Sequence, residues 1–196
     1  MTEQAKLSKK ELSHQRIVDA AARAIRRAGY SGVSVADVMR DAGLTHGGFY
    51  AHFGSRDDMV AAAIAFAGEQ SAGKVRQSMA AKQKQGMSPF RALVESYLSD
   101  WHMAGTETGC VVAALGSEMP RQAEPVRQAS AERVRGLIRL VGATLPEDVA
   151  QSEASHIVSA LVGALQLARA LGGGREGKVL LAANRNALIE RYDRRH

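Results

Sequence analysis

An all-α fold of about nine helices is predicted, a three-helix N-terminal unit over residues 1–56 followed by a larger helical unit over residues 57–196. Three observations carry this expectation. Alanine, the strongest helix former, supplies 34 of the 196 residues. Alternation of β-branched or aromatic with polar residues is scarce, so no segment reads as a strand. Apolar residues instead recur at spacings of three and four, and Ser, Thr and Gly punctuate them where helices start and stop.

Taken in order, the first helix runs from about Ser8 to Ala28, with Ile17, Ala21, Ile25 and Ala28 marking one apolar face and Gly29 ending it. Ser34 to Asp37 has the form of a capping box with Asp in place of Glu, and opens a short helix that ends at Ala42-Gly43. Thr45 is placed to cap a third helix, His46 to Phe53, with Phe49 and Phe53 facing inward. After Gly54-Ser55 a long helix reaches roughly Lys84. Further helices are expected at Pro89 to about Met103, Cys110 to Met119, Glu124 to Thr144, Pro146 to Leu171 and Lys178 to about Tyr192, with Gly172 to Gly174 between the last two and a frayed end at 194–196.

The composition is 45% hydrophobic and 23% charged, which suits a globular protein and excludes disordered or fibrous classes. The single cysteine, Cys110, rules out an internal disulfide and any multi-cysteine metal or iron–sulfur site. No cofactor or metal is expected. The opening MTEQAKLSKKEL lacks the apolar run of a signal peptide, and no stretch is apolar enough to span a bilayer, so the cytoplasm is the expected location and no membrane partner is predicted. The net charge is +6, and seven bases against two acids between Lys6 and Arg27 give that segment a net +5. Such a cluster fits either a polyanion partner or a solvated helix face.

The segment VADVMRDAGLTHGGFYAHF, residues 35–53, has the spacing of a DNA-binding helix-turn-helix. Val38, Leu44 and Phe49 supply apolar contacts between two helices, and Gly43 supplies the turn. The second helix is then free to enter a major groove about 12 Å wide.

Here Ser34-Val35, Ala42-Gly43-Leu44-Thr45, Phe49-Tyr50-x-His52-Phe53 and Ser55-Arg56-x-Asp58-x-Val60 resemble the signature of the TetR/AcrR family, behind a basic first helix. About a quarter of the chain carries the match. The resemblance implies a ligand-responsive regulator, most often a repressor, that binds a palindromic operator in double-stranded DNA as a homodimer. It places Thr45, His46, Gly47 and Gly48 against bases and adjacent phosphates. Tyr50, Arg56 and Ser34 would bind phosphate, and His52 belongs to the same face. Ser34 and Thr45 also fit as plain caps, and Tyr50 as a core plug. Two departures stand out. His46 and Gly48 replace the common lysine and threonine, and Met39 occupies a position that is usually small.

A single helix-turn-helix reads few base pairs, so a dimer across half-sites about 34 Å apart is expected. Ile157, Leu161, Ala164, Ala168 and Leu171 form an apolar stripe that fits an interface completed by Leu188, or an internal core. In the middle helices Tyr97, Trp101, His102, Met103, Cys110 and Met119 mix aromatic, soft and weakly polar groups of the kind that line a pocket for a small-molecule effector, although each also fits a core role. Thr108 as cap would place the Cys110 thiol in a first helical turn and favour reactivity, and some TetR-like regulators are similar in sensing electrophiles near this place. No catalytic residue is assigned. The competing classes are a Cys110-dependent enzyme with His102 or His156 as base, and a basic protein that coats DNA without sequence preference.

Overall fold

The computed structural model describes residues 8–193, and among them are nine α-helices and no strand. Helix α1 spans Lys9–Ala28, and Ser8 caps it in a full capping box with Glu11. Its buried face is Ile17, Val18, Ala21, Ala22 and Ile25, while Ala28 is exposed, so the expected stripe drifts off the core at its last turn. Lys6 and residues 194–196 lie outside the described residues.

Helix α2, Val35–Asp41, ends at Ala42, and Gly43 turns the chain at φ +67°. A side chain at 43 would also meet the guanidinium of Arg16, but that exposed side chain can move aside, so the positive φ is what calls for glycine. The next element, His46–Ala51, is a 3-10 helix rather than the α-helix expected. Two adjacent glycines, 47 and 48, give it little helix bias, and Thr45 makes no side-chain cap. Phe49 and Phe53 do face inward, with stacked rings 5.8 Å apart.

Helix α3, Arg56–Gln83, is 28 residues long and starts on a Ser55 cap. It packs against α1 at one end and against α4 (Pro89–Tyr97) and α7 (Glu124–Gly142) further along. The helix expected over 89–103 is broken: Leu98 leaves helical geometry, Ser99 is extended, and α5 is only Asp100–Ala104. The one expected over 110–119 is likewise short, α6 being Val111–Leu115, followed by a 3-10 turn at Met119–Arg121. Cys110 is the N-cap of α6 rather than part of its first turn, and Thr108 does not cap it. The last pair are α8, Glu153–Ala170, and α9, Arg175–Tyr192. Pro146 opens a turn rather than a helix, so α8 begins seven residues later than expected. The buried apolar residues form one cluster running from α1 to α9. Among the described residues no helix is long and apolar enough to cross a membrane.

Candidate functional site

The N-terminal head is built on α2. Ser34 Oγ accepts the Asp37 N–H at 3.1 Å and donates to Asp37 Oδ2 at 2.6 Å. Aspartate, one methylene shorter than glutamate, takes the Ser34 hydroxyl where a capping box would take the backbone. These bonds, then Arg40, hold the Asp37 carboxyl below the usual carboxylate range. Beneath the 3-10 turn Val38, Met39 and Phe49 are buried. Met39 lies beneath Gly48: a Cβ at 48 would meet Met39 Cε at 3.7 Å, an ordinary van der Waals contact.

Thr45, His46, Gly47 and Tyr50 are exposed, and Gly48 is half-buried. Tyr50 is 74% exposed and meets Phe49 edge-on, which removes its reading as a core plug. His52 is half-buried between the head's elements, 6.0 Å from the His14 ring, and its Nδ1 has no protein partner among the described residues. Burial, then the neighbouring His14 and Lys10, lower its pKa. Arg56 is committed largely to the fold. Its Nε donates to the Val33 carbonyl at 3.1 Å and its Nη2 to the Tyr30 carbonyl, tying the loop between α1 and α2 to the start of α3. Only Nη1, beside Asp57, is left for another partner.

The basic segment of α1 divides in the same way. Lys9, Lys10 and Arg16 are exposed, while Arg23 and Arg27 pair with Asp19 and Glu107. Arg26 is buried, donating to the carbonyls of Ala22 and Gly109 and to Gln70 Oε1. Arg26 thus links the head to the residue preceding Cys110. A second link runs from the Tyr30 N–H to Glu118 Oε2 at 3.2 Å.

The larger unit contains a cavity of about 550 Å³, counting its open mouth, between α3, α4, α6 and α7. Of the six residues expected there, the structure brings only Tyr97 and Cys110 to its wall. Trp101 is 39% exposed and stacks on His102. Met103 and Met119 are buried elsewhere. His102 is a structural cross-brace. Its Nε2 accepts the Cys110 N–H at 2.9 Å, which leaves Nδ1 to donate to the Tyr97 carbonyl at 2.7 Å. Both ring nitrogens are therefore used by backbone groups, and His156 is exposed on α8, so neither imidazole expected as a base is paired with the Cys110 thiol. The five-residue α6 also aligns few peptide dipoles at Cys110.

Sequence reasoning missed most of the cavity wall. Gly68, Ser71, Ala72 and Val75 of α3 face Arg133, Gly136, Leu137 and Leu140 of α7. Both sets follow the same spacing of zero, three, four and seven, a legible helical stripe whose partner could not be read from one sequence. The expected dimer stripe is corrected as well. Ile157, Leu161, Ala164, Ala168 and Leu188 are buried within the protomer, packing α8 and α9 onto the core, and only Leu171 is exposed. The outward apolar residues of this pair are Leu167, Leu171 and Val179.

Residues 17–63 match the family model described as bacterial regulatory proteins, tetR family. The chain is 29% identical to an uncharacterised HTH-type transcriptional regulator of Mycobacterium tuberculosis, over 79% of this chain and 83% of that one. Its fold is shared with a TetR-family regulator from Agrobacterium tumefaciens (TM-score 0.72, 21% identity, 94% of this chain and 99% of that one). A TetR regulator from Legionella pneumophila gives 0.73 at 17% identity, covering 96% and 100%. The reduced form of NemR from E. coli gives 0.69 at 19% identity, covering 89% and 95%. The helix-turn-helix in the head lies within the stretch that matches the tetR-family model, and the chain as a whole is similar in sequence to an HTH-type transcriptional regulator and shares its fold with TetR-family regulators.

Proposed function

We propose that the protein is a repressor that binds a palindromic operator as a homodimer and is released by a small apolar or electrophilic effector. The observation that carries this reading is the head itself: Thr45, His46, Gly47 and Tyr50 stand exposed on a turn whose underside is locked by Val38, Met39 and Phe49. Thr45 and His46 are the groups offered to base edges, and Tyr50, Ser34 and the remaining edge of Arg56 are offered to phosphates.

The α3 helix begins in the head and lines the cavity through Gly68, Ser71, Ala72 and Val75. A ligand between α3 and α7 therefore pushes on the element that carries the head. The Arg26 and Tyr30 bonds give α6 and its flanks a second connection to α1. Two such states need differ by only about 1 to 3 kcal/mol in ligand affinity to couple the sites. Cys110 supports the electrophilic form of the reading because its residue borders the same cavity.

The test is a gel shift of the full chain on DNA upstream of its own gene, with excess random DNA as competitor. Retention of the specific complex is expected, followed by its loss when a cavity ligand or N-ethylmaleimide is added, the latter with a Cys110→Ser control. Equal competition by random DNA overturns the operator reading in favour of non-specific coating. A response to N-ethylmaleimide that survives in Cys110→Ser removes the thiol from the mechanism.

A further inference from the structure

The cavity wall is apolar over most of its extent, from Ala72 and Val75 to Val112, Leu137 and Leu140, yet two of its residues each carry a buried side-chain donor without a hydrogen-bond partner among the described residues. One is the hydroxyl of Tyr97, a residue 2% exposed. The other is Nε of Arg133 on α7. A buried donor without a partner costs stability in the free protein, so two on one wall call for an explanation. Burial, and next the neighbouring Cys110, push the Tyr97 phenol well above its ordinary pKa, so it is a neutral donor at any physiological pH.

The position of Arg133 is also specified from across the cavity. Its side chain crosses to α3, where Nη1 bonds Glu69 Oε1 at 2.6 Å, and its Cδ lies where a Cβ at Gly68 would collide with it. Gly68 thus makes room for an arginine at the mouth. Glu69 and Arg76, 3.5 Å apart, sit beside it. The arrangement is an aliphatic chamber with a donor at Tyr97 and a donor at Arg133.

We propose that the cavity takes a small, largely apolar molecule that carries a carbonyl or carboxylate oxygen, with the Tyr97 hydroxyl and Arg133 Nε donating to it. This deepens the effector reading above and rests on it. Both groups are donors and call for an acceptor, and the Glu69 carboxylate beside Arg133 leaves a neutral carbonyl and a carboxylate as two forms of the same chemistry. An apolar molecule without an oxygen would fill the chamber and leave both donors unserved.

Three probes of one shape separate these cases: acetophenone, benzoate and ethylbenzene, titrated calorimetrically into the full-length dimer or monomer as purified. Acetophenone or benzoate is expected to bind about tenfold or more tightly than ethylbenzene, one added hydrogen bond in a buried site. Whichever of the two binds better assigns the acceptor as neutral or charged, and either result supports the proposal. In Tyr97→Phe the preference should fall severalfold, and in Arg133→Met it should fall again. Tyr97→Phe should also raise Tm without ligand, because it removes an unserved donor, which shows that the variant folds. Ethylbenzene binding as tightly as the oxygenated probes overturns the acceptor proposal while leaving the effector cavity standing. A preference that persists undiminished in both variants does the same. Failure of all three probes to bind overturns the cavity reading along with it.

Discussion

At the level of single residues, the glycines of the recognition turn are informative because the fold does not demand them. A Cβ at Gly47 would meet nothing within 4 Å, and its φ is not positive, so the interior offers no reason for glycine there. Close approach of the backbone to another molecule does. Gly47→Ala is therefore expected to stabilise the free protein by roughly 0.5 to 1 kcal/mol in chemical denaturation, while weakening operator binding in a gel shift. Unchanged affinity would show that the turn does not approach DNA at 47. Arg56 gives the opposite lesson. Its type and place suggest a phosphate contact, yet two of its nitrogens serve the Val33 and Tyr30 carbonyls. A guanidinium offers the same donors to a phosphate and to a carbonyl, so identity alone does not choose between them.

Among the elements, the breaks between α4, α5 and α6 matter most, because they bring His102 onto the backbone of Tyr97 and Cys110 at the cavity wall. Burial lowers the His102 pKa from 6.5 to about 4, partly opposed by its bond to the Tyr97 carbonyl. The folded-state pKa lies below the unfolded one, so the stabilisation is present above about pH 6.5 and is lost as pH falls toward 4. Its full size is on the order of 3 kcal/mol at 1.36 kcal/mol per unit. Denaturation midpoints measured across this window should fall steeply in the natural protein and less so in His102→Gln, which keeps one donor and one acceptor. Parallel slopes would mean that another group governs the acid limb. Helical periodicity could not reveal these breaks. Residues 89–103 carry no internal glycine or proline after Pro89, and the interruption at Leu98 and Ser99 is imposed by packing rather than by local propensity.

For the whole molecule, the last two helices carry Leu167 at 58% exposure, Leu171 at 46% and Val179 at 62%, three of the exposed large apolar side chains among the described residues. Gly163 and Leu167 stand four residues apart on α8, a small residue beside a large one at helical spacing. This is the surface on which the proposed twofold contact would form. Leu167→Glu should convert a dimer to a monomer in size-exclusion chromatography with light scattering and lower operator affinity strongly; a variant that stays dimeric would place the interface elsewhere. The sequence by itself determined the helical class, the cap at Ser34, the turn at Gly43 and the family motif, because each depends on residues within a few positions of one another. It also determined that α8 has an apolar stripe. Only the tertiary structure decided which side of that stripe faces inward, which of six plausible residues reach the cavity, and that Arg26 and Arg56 donate to backbone carbonyls. Those outcomes depend on pairings between residues tens of positions apart, such as Arg26 with Gly109 and Gly68 with Arg133, and local periodicity carries no record of its partner.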